Sequence, residues 1–295
     1  MNKLVVGGIL FGIAALAPGA VHAQGAANDK PRFEVSVAFV SSSPRQDGTY
    51  STSFAPPFDP GEHSGSAGQT VALSLDRATG FGITAGFFPR PRYGVQVLVN
   101  RFESPFGGAN TPYEVLLTYV ALQPPDFQPR EYVYQRAQDW PDTEGALRSL
   151  SVSANAALRI GEGPVGAVVS GGPSIFRTGG EAQALGYTRL WLGGHSVLFL
   201  EESVVEVAVQ PRTTLGFNAG GELVVALHGP LAVVFDGRYF YAPSSASHVR
   251  VTRILNFDEL ISPESIEVIQ ERMDLQPARL DASFLRLGAG LKLRW

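Results

Sequence analysis

Stretches in which apolar residues alternate with small or polar ones recur along this chain, and they limit its fold more than any other feature. A period of two residues is typical of β-strands, because successive side chains of a strand point to opposite faces. In Thr213–His228, odd positions such as Leu215 and Phe217 are apolar, whereas even positions include Asn218 and Glu222. The sequence therefore predicts a protein built mainly of strands with two chemically different faces.

The alternation predicts eight strands, and the connections between them are alternately long and short. The strands are Phe33–Ser41, Thr79–Phe88, Tyr93–Phe102, Leu147–Ile160, Val165–Phe176, Thr213–Leu227, Leu231–Tyr241 and Ala282–Trp295. The short connections are Pro89–Arg92, Gly161–Pro164 and His228–Pro230, and the long ones are Ser42–Ala78, Glu103–Ala146, Arg177–Arg212 and Ala242–Asp281. This arrangement is typical of bacterial outer-membrane barrels. We predict an all-β fold, a transmembrane antiparallel up-and-down β-barrel with eight strands and long extracellular loops.

Charged residues fall on the small and polar face of these strands. A charged side chain exposed to hydrocarbon at the bilayer midplane costs about 2–4 kcal/mol, so this face is predicted to line the barrel interior. The interior charges are Glu34, Arg159, Glu222, Asp236, Arg238, Arg286 and Lys292. We expect Glu34 to pair with Lys292. We expect Asp236 and Arg238 to form an alternating-sign cluster with Glu222 and Arg286, which closes the lumen.

Aromatic residues on the opposite, apolar face form two predicted girdles. Phe33, Phe87, Tyr93 and Trp295 lie towards the short-turn end, and Phe39, Phe217, Tyr239 and Tyr241 lie towards the long-loop end. Aromatic rings favour the two membrane–water interfaces, so this placement supports a membrane-spanning barrel.

Residues 1–23 have the features of a cleaved signal peptide. Lys3 supplies a positive charge, Leu4–Ala17 are mostly apolar, and Val21-His22-Ala23 is a small-residue cleavage site. We predict a short N-terminal extension at residues 24–30 and the barrel at residues 31–295. The predicted localisation is the bacterial outer membrane after cleavage of the signal peptide.

Composition excludes several other functions. The chain has no cysteine, which excludes disulfides, zinc–thiolate sites and a thiol nucleophile. Its formal net charge of −4 does not indicate a nucleic-acid partner. No set of residues has the spacing that is typical of metal ligands. We therefore predict no cofactor, no metal and no catalytic residue.

Three segments resemble a known family. Phe284–Trp295 alternates apolar residues up to a terminal aromatic residue, and the hairpins at Gly80–Val95 and Leu215–Tyr239 are rich in glycine and aromatic residues. Here the chain resembles the OmpA/OmpX-like small outer-membrane barrels, over most of residues 31–295. The resemblance implies that Leu291, Leu293 and Trp295 form a signal read by the barrel-assembly machinery. It also implies contact with outer-membrane lipid and lipopolysaccharide. The chain differs from OmpA itself in having no peptidoglycan-binding domain after the barrel.

Two functions are compatible with such a barrel. One is a structural or surface-interaction role through the long loops, with an extracellular ligand that the sequence does not identify. The alternative is a pore or transporter for small solutes or hydrophobic compounds. The pore would gain support if Tyr113–Leu122 and Val197–Glu202 were two further spanning strands, giving ten. Eight-stranded barrels are filled by their own side chains, which favours the first role.

A lipid-modifying enzyme or an outer-membrane protease is a less favoured alternative. Such enzymes need a histidine close to a serine or an acid. The histidines after the signal peptide are His63, His195, His228 and His248, and none lies mid-strand beside such a residue. We therefore predict that the protein is not an enzyme. The motif Ser262-Pro263-Glu264 predicts a short helix, Glu264–Arg272, on the last long loop.

Overall fold

The computed structural model describes residues 32–44, 47–54, 64–123, 125–139, 141–161, 163–193, 197–255, 265–281 and 283–295. The predicted signal peptide (1–23) and N-terminal extension (24–30) lie outside these residues. The strands are β1 (Arg32–Pro44), β2 (Asp47–Phe54), β3 (Ser64–Leu75), β4 (Ala78–Phe88), β5 (Tyr93–Asn110), β6 (Tyr113–Gln123), β7 (Gln128–Gln138), β8 (Thr143–Ile160), β9 (Val165–Gly193), β10 (Val197–His228), β11 (Leu231–Tyr241), β12 (Ser245–Ser247), β13 (Val249–Leu255), β14 (Ala278–Leu280) and β15 (Phe284–Arg294). Helix α1 is Ile266–Arg272.

Eight of these strands form a closed antiparallel ring. Its order is β1, β4, β5, β8, β9, β10, β11 and β15, and β15 pairs again with β1. We call the pairing of β1 with β15, which closes the ring, the seam. It extends to Trp295, because Phe33 and Trp295 exchange two backbone hydrogen bonds of 2.9 and 3.0 Å. A closed ring leaves no unpaired strand edge, which a bilayer requires. The predicted barrel of eight strands is confirmed.

The ring has an apolar outside and a polar inside. On β5 the side chains of Val95, Val97 and Val99 are exposed, whereas those of Gln96 and Asn100 are buried. This is the reverse of a water-soluble barrel, and it places hydrocarbon-compatible side chains on the outer surface. The two predicted girdles also lie on the outside, where Phe33, Tyr93, Trp295, Phe39, Phe217 and Tyr241 are exposed.

Several ring strands are much longer than a membrane requires. β9 has 29 residues and β10 has 32, whereas a spanning strand needs about 9–11. The predicted ends at Phe102 and Phe176 were therefore too early, and the predicted starts at Leu147 and Thr213 were too late. Above the membrane no face of a strand meets lipid, so the two-residue pattern fades although the pairing continues.

The long connections are themselves folded into β-structure, here called the extension. β3 pairs with β2, β5 and β6, β6 pairs with β7, and β13 pairs with β10. The ten-strand alternative is wrong, because β6 stays outside the ring and Val197–Glu202 continue β10. Leu116–Leu122 lie within β6, and Val204–Val209 lie within β10.

The extension has its own hydrophobic core. Its buried members include Val71, Tyr113, Leu117, Leu185, Tyr187, Val205, Val207, Val251, Ile269 and Met273. They come from β3, β6, β9, β10, β13 and α1, so the two long hairpins and the helix pack on each other. Buried area of this kind stabilises the extension as a folded unit rather than a set of mobile loops.

Helix α1 packs against β13, and the segment that follows it contacts β2. Its N-cap is Ser265, whose hydroxyl accepts from the Val268 amide at 3.4 Å. The predicted helix began too early, and Ser262-Pro263-Glu264 lie outside the described residues. Gln270 accepts from the Val251 amide at 2.6 Å, and the Tyr50 hydroxyl donates to the Gln276 carbonyl at 2.8 Å. Burial, together with the nearby Asp274 carboxylate, raises the pKa of Tyr50, which keeps that hydroxyl protonated.

No helix within the described ranges is both long and apolar enough to span a bilayer.

The three short turns and both ends of the barrel lie at one end, and the extension lies at the other. We expect the extension outside the cell. Because the chain has no cysteine, single-cysteine variants can be labelled cleanly. A membrane-impermeant maleimide should label Glu131→Cys on β7 in intact cells, and Arg90→Cys in a short turn only after permeabilisation. The reverse labelling pattern would show that the barrel is inserted the other way.

Candidate functional site

The barrel lumen holds the predicted interior charges. All seven are buried, with exposed fractions of 7% or less. Strand alternation explains this placement, since each charged residue lies an odd number of positions from the lipid-facing residues of its strand and therefore points to the opposite face. They divide into two layers, which are described from the short-turn end upwards.

The lower layer is centred on Glu34 of β1. Arg159 donates to it at 2.5 Å, Lys292 lies 3.4 Å away, and Arg294 lies 3.8 Å away. Lys292 also forms an ion pair with Glu222. The expected pair between Glu34 and Lys292 is therefore present, and it joins the first strand of the ring to the last. Sequence analysis missed Arg294, which is only partly buried at the barrel end.

Arg159 is also packed against an aromatic ring. Its guanidinium carbon lies 4.1 Å from the centroid of the buried Phe88 ring. A cation over an aromatic face gains roughly 2 kcal/mol when both groups are desolvated. Phe88 thus covers the ion pair from one side and excludes water from it.

The second layer contains Asp236, Arg238 and Arg286. The Asp236 carboxylate lies 3.4 Å from Arg286 and 3.7 Å from Arg238. Directly across the strands, like charges face each other, since Glu222 is opposite Asp236 and Arg238 is opposite Arg286. The attractive contacts of Asp236 therefore run along β11 to Arg238 and diagonally to Arg286. Of the expected alternating-sign cluster, Glu222 forms its ion pair with Lys292 of the lower layer.

Amides and hydroxyls complete this layer. Arg238 donates to the Asn218 carbonyl oxygen at 2.6 Å and to the Ser170 hydroxyl at 2.7 Å. Asn218 donates in turn to Asn155 at 2.7 Å and to Ser174 at 2.9 Å. A buried cation needs such acceptors as well as a carboxylate, because desolvation otherwise outweighs the attraction of the pair.

Two glycines provide the space that the arginines occupy. A Cβ on Gly82 would lie 2.7 Å from both Arg286 and Asn100, and one on Gly220 would lie 2.6 Å from the Arg238 backbone. These small inward residues were part of the predicted pattern. They show that the interior is filled to contact distance.

Four phenylalanines fill the lumen above the charges, and we call them the aromatic plug: Phe102, Phe176, Phe240 and Phe284. The rings of Phe240 and Phe284 stack at 4.6 Å, and Phe102 meets Phe284 edge-on at 4.8 Å. Sequence analysis missed the plug, although the inward parity of Phe102, Phe176 and Phe240 could have revealed it. The core of the extension follows above it.

The closed ring, the apolar outer surface and the buried charges together decide the class of protein. The chain has the fold of a membrane-spanning β-barrel of eight strands. No protein-family model matches the sequence, and no curated protein is significantly similar to it.

Several solved barrels are similar in overall structure. They include the outer membrane protein OprG from Pseudomonas aeruginosa, with 9% identity and a TM-score of 0.45 over 90% of this chain and 95% of that one. Ail, the attachment invasion locus protein of Yersinia pestis, has 10% identity and a TM-score of 0.37 over 90% and 99% of the two chains. The outer membrane protease OmpT from Escherichia coli has 7% identity and a TM-score of 0.37 over 90% and 96%. These values carry no inference about activity.

The two histidines that the structure describes lie away from the barrel interior. His228 is exposed in a short turn and His248 is exposed between β12 and β13. His63 and His195 lie outside the described residues. Within the described part of the chain, no three His, Asp or Glu side chains are grouped as a metal site would require.

The predicted assembly signal lies on the seam. Leu291, Leu293 and Trp295 are exposed on the outer face of the last strand and its end. Trp295 adds the two backbone hydrogen bonds to Phe33 described above. Its position therefore serves both closure and the lower aromatic girdle.

Removing Trp295 should lower the amount of folded barrel in the outer membrane far more than it lowers synthesis. The deletion removes an exposed aromatic ring and two hydrogen bonds of the seam. Trp295→Phe is the matched control and should assemble normally, because it keeps both features. Heat-modifiable gel mobility of membrane fractions measures the outcome. Normal levels of the truncated barrel would contradict the role of this residue.

Replacing Lys292 should destabilise the barrel strongly. Lys292→Met leaves Glu34 and Glu222 facing each other without their shared cation, and breaking a buried pair costs about 3–5 kcal/mol. Urea unfolding in lipid vesicles measures the change in the free energy of unfolding.

Arg148→Met is the control for that change, because Arg148 forms exposed ion pairs with Glu103 and Glu181, which contribute only about 0–1 kcal/mol. Adding Glu222→Gln to Lys292→Met should recover part of the loss. Equal losses in the free energy of unfolding for Lys292→Met and Arg148→Met would contradict the ion pairs described for the lower layer.

Proposed function

We propose that this protein is a closed barrel that anchors a folded extracellular platform and acts through that platform in a structural or surface-interaction role. The observation that supports it best is the unbroken filling of the lumen. Ion pairs, the aromatic plug and the core of the extension follow one another along the axis. Side chains therefore occupy the lumen at successive levels along the axis, which supports a closed barrel.

The charges of the lumen support closure rather than conduction. Among the buried groups, Glu34, Glu222 and Asp236 are acidic, and Arg159, Arg238, Arg286 and Lys292 are basic. A selectivity filter uses rings of one charge sign. Here both signs occur in each layer at ion-pair distance, so the groups neutralise each other instead of attracting ions.

The geometry of the extension supports a binding role. Its strands are continuous with those of the barrel, so the platform is held rigidly above the membrane. β7 pairs only with β6 among the described strands, and it presents exposed side chains such as Glu131 and Val133. Binding residues are commonly placed on segments that a rigid scaffold positions.

The alternative function is transport of a small solute or hydrophobic compound. A small pocket lies on the aromatic plug and is lined by Ser42, Ser149, Thr178, Asp281 and Phe284. Its lining includes none of the seven interior charges below the plug, which supports the closed barrel. An enzymatic role has no supporting residue within the described part of the chain, and we propose a non-enzymatic protein.

Purified wild-type barrel should show little steady conductance in a planar bilayer. Arg238→Ala should raise leakage, because it removes a large, fully buried side chain from the second layer. Arg148→Ala on the outer surface is the control and should leave conductance unchanged. Large, stable, ion-selective channels from the wild-type protein would instead establish the pore.

A further inference from the structure

One edge of the extension is open. Among the described strands, β7 pairs only with β6, so no described strand lies along its other side. Eight of its 11 side chains are exposed, and Val133 at its centre is 66% exposed. The unpaired N–H and C=O groups of such an edge are a surface on which another strand can pair.

The direction of β7 follows from its neighbours. β6 is antiparallel to β3, and β3 is antiparallel to β5, so β6 runs away from the membrane as β5 does. β7 is antiparallel to β6 and therefore runs towards the membrane. Because this sheet continues the barrel wall through β5, a line perpendicular to the sheet lies roughly parallel to the membrane plane.

This direction decides how β7 can pair with β7 of a second copy. Two identical antiparallel strands are related by a two-fold axis perpendicular to their sheet. That axis is parallel to the membrane here, so the rotation turns one barrel upside down relative to the other. Two copies in the same membrane would bring together parallel edges with their faces reversed, which does not match the pleat of a sheet. Symmetric pairing therefore joins barrels of two membranes that face each other.

The sequence of β7 disfavours two of the three central registers for this pair. Opposed residues of antiparallel strands point to the same face, so the two-fold axis must pass through a residue position. An axis at Val133 would place Arg130 opposite Arg136 twice, and like charges directly opposite each other are destabilising. An axis at Tyr132 would bring Pro129, which has no N–H, into the ladder.

An axis at Tyr134 avoids both faults. It pairs residues 130–138 of the two copies and leaves Pro129 outside the ladder. Arg136 then lies opposite Tyr132 of the second copy, where a cation meets an aromatic ring, and Val133 lies opposite Gln135. Registers centred further towards either end of the strand pair fewer residues. The edge is therefore self-complementary in one register.

We propose that β7 pairs with β7 of a second copy in an opposed membrane, so that the extension joins two membranes through copies of the same protein. The proposal rests on the surface-interaction role proposed above and names its partner. A single ladder of nine residues is a small interface and binds weakly. Many copies along two facing membranes act together, and their combined binding is strong.

The test uses the full barrel in two populations of phosphatidylcholine vesicles that carry different fluorophores. Wild-type populations should associate, as measured by fluorescence cross-correlation. Because the chain has no cysteine, Val133→Cys in one population should form a disulfide with Gln135→Cys in the other. Gln128→Cys, also exposed on β7, is the matched control. It should not react with Val133→Cys, because this register separates the two positions by roughly 24 Å along the strand.

Changes of charge test the same register without a cross-link. Val133→Lys/Gln135→Lys places lysines opposite each other and should lower vesicle association at least fivefold. Val133→Glu/Gln135→Glu should have the same effect. Mixing the lysine variant with the glutamate variant should restore association, because each lysine then lies opposite a glutamate. This recovery also shows that both variants are folded.

Each opposite result has a distinct meaning. Folded wild-type barrel that leaves the vesicles apart would overturn the self-pairing, whereas the closed barrel is tested separately by its conductance. Association of wild-type vesicles with protein-free vesicles would show that the extension binds lipid, and this would also overturn the proposal. A disulfide between two copies of Val133→Cys, with none between Val133→Cys and Gln135→Cys, would contradict the register. Heat-modifiable mobility checks the folding of every variant.

Discussion

Backbone hydrogen bonding within the bilayer is the constraint on which this structure depends. Hydrocarbon offers no partner for an amide or a carbonyl group, so every strand needs two neighbours. Eight strands meet this condition only because β15 pairs with β1 along its whole length. Once the ring is closed, alternate side chains must face either lipid or the lumen. The placement of valines outside and of charges inside follows directly from closure.

A ring of eight strands is narrow, and its own side chains fill it. Charged residues are tolerated there only as a connected set, because a lone buried ion is costly. Glu34 illustrates the solution, since it contacts Arg159, Lys292 and Arg294 from two other strands. The same ions that neutralise one another also tie the strands together across the lumen. Neutralisation of the interior charges and linkage of the strands across the lumen are therefore two results of one arrangement.

Sequence alone predicted the ring, because a membrane requires apolar and polar residues to alternate along each spanning strand. For the strand Leu231–Tyr241, both predicted ends match the structure. It also predicted which charged side chains face inwards, because successive side chains of a strand alternate between its two faces. It predicted the pair of Glu34 and Lys292, but it did not predict that Lys292 also pairs with Glu222, because that contact depends on the three-dimensional register of the strands. The extension was missed as a folded unit because its core gathers residues from strands and a helix that are distant from one another in sequence.

The seam between β1 and β15 has a consequence for how the barrel is made. Glu34 pairs with Arg294, so the contacts that complete the ring join its first strand to its last. Such non-local contacts slow folding, because the two strands must be brought together before the contacts form. The ring cannot close until its last strand has been made and lies beside its first. Until then the edges of both strands are unpaired, and unpaired edges are the sites at which β-proteins aggregate.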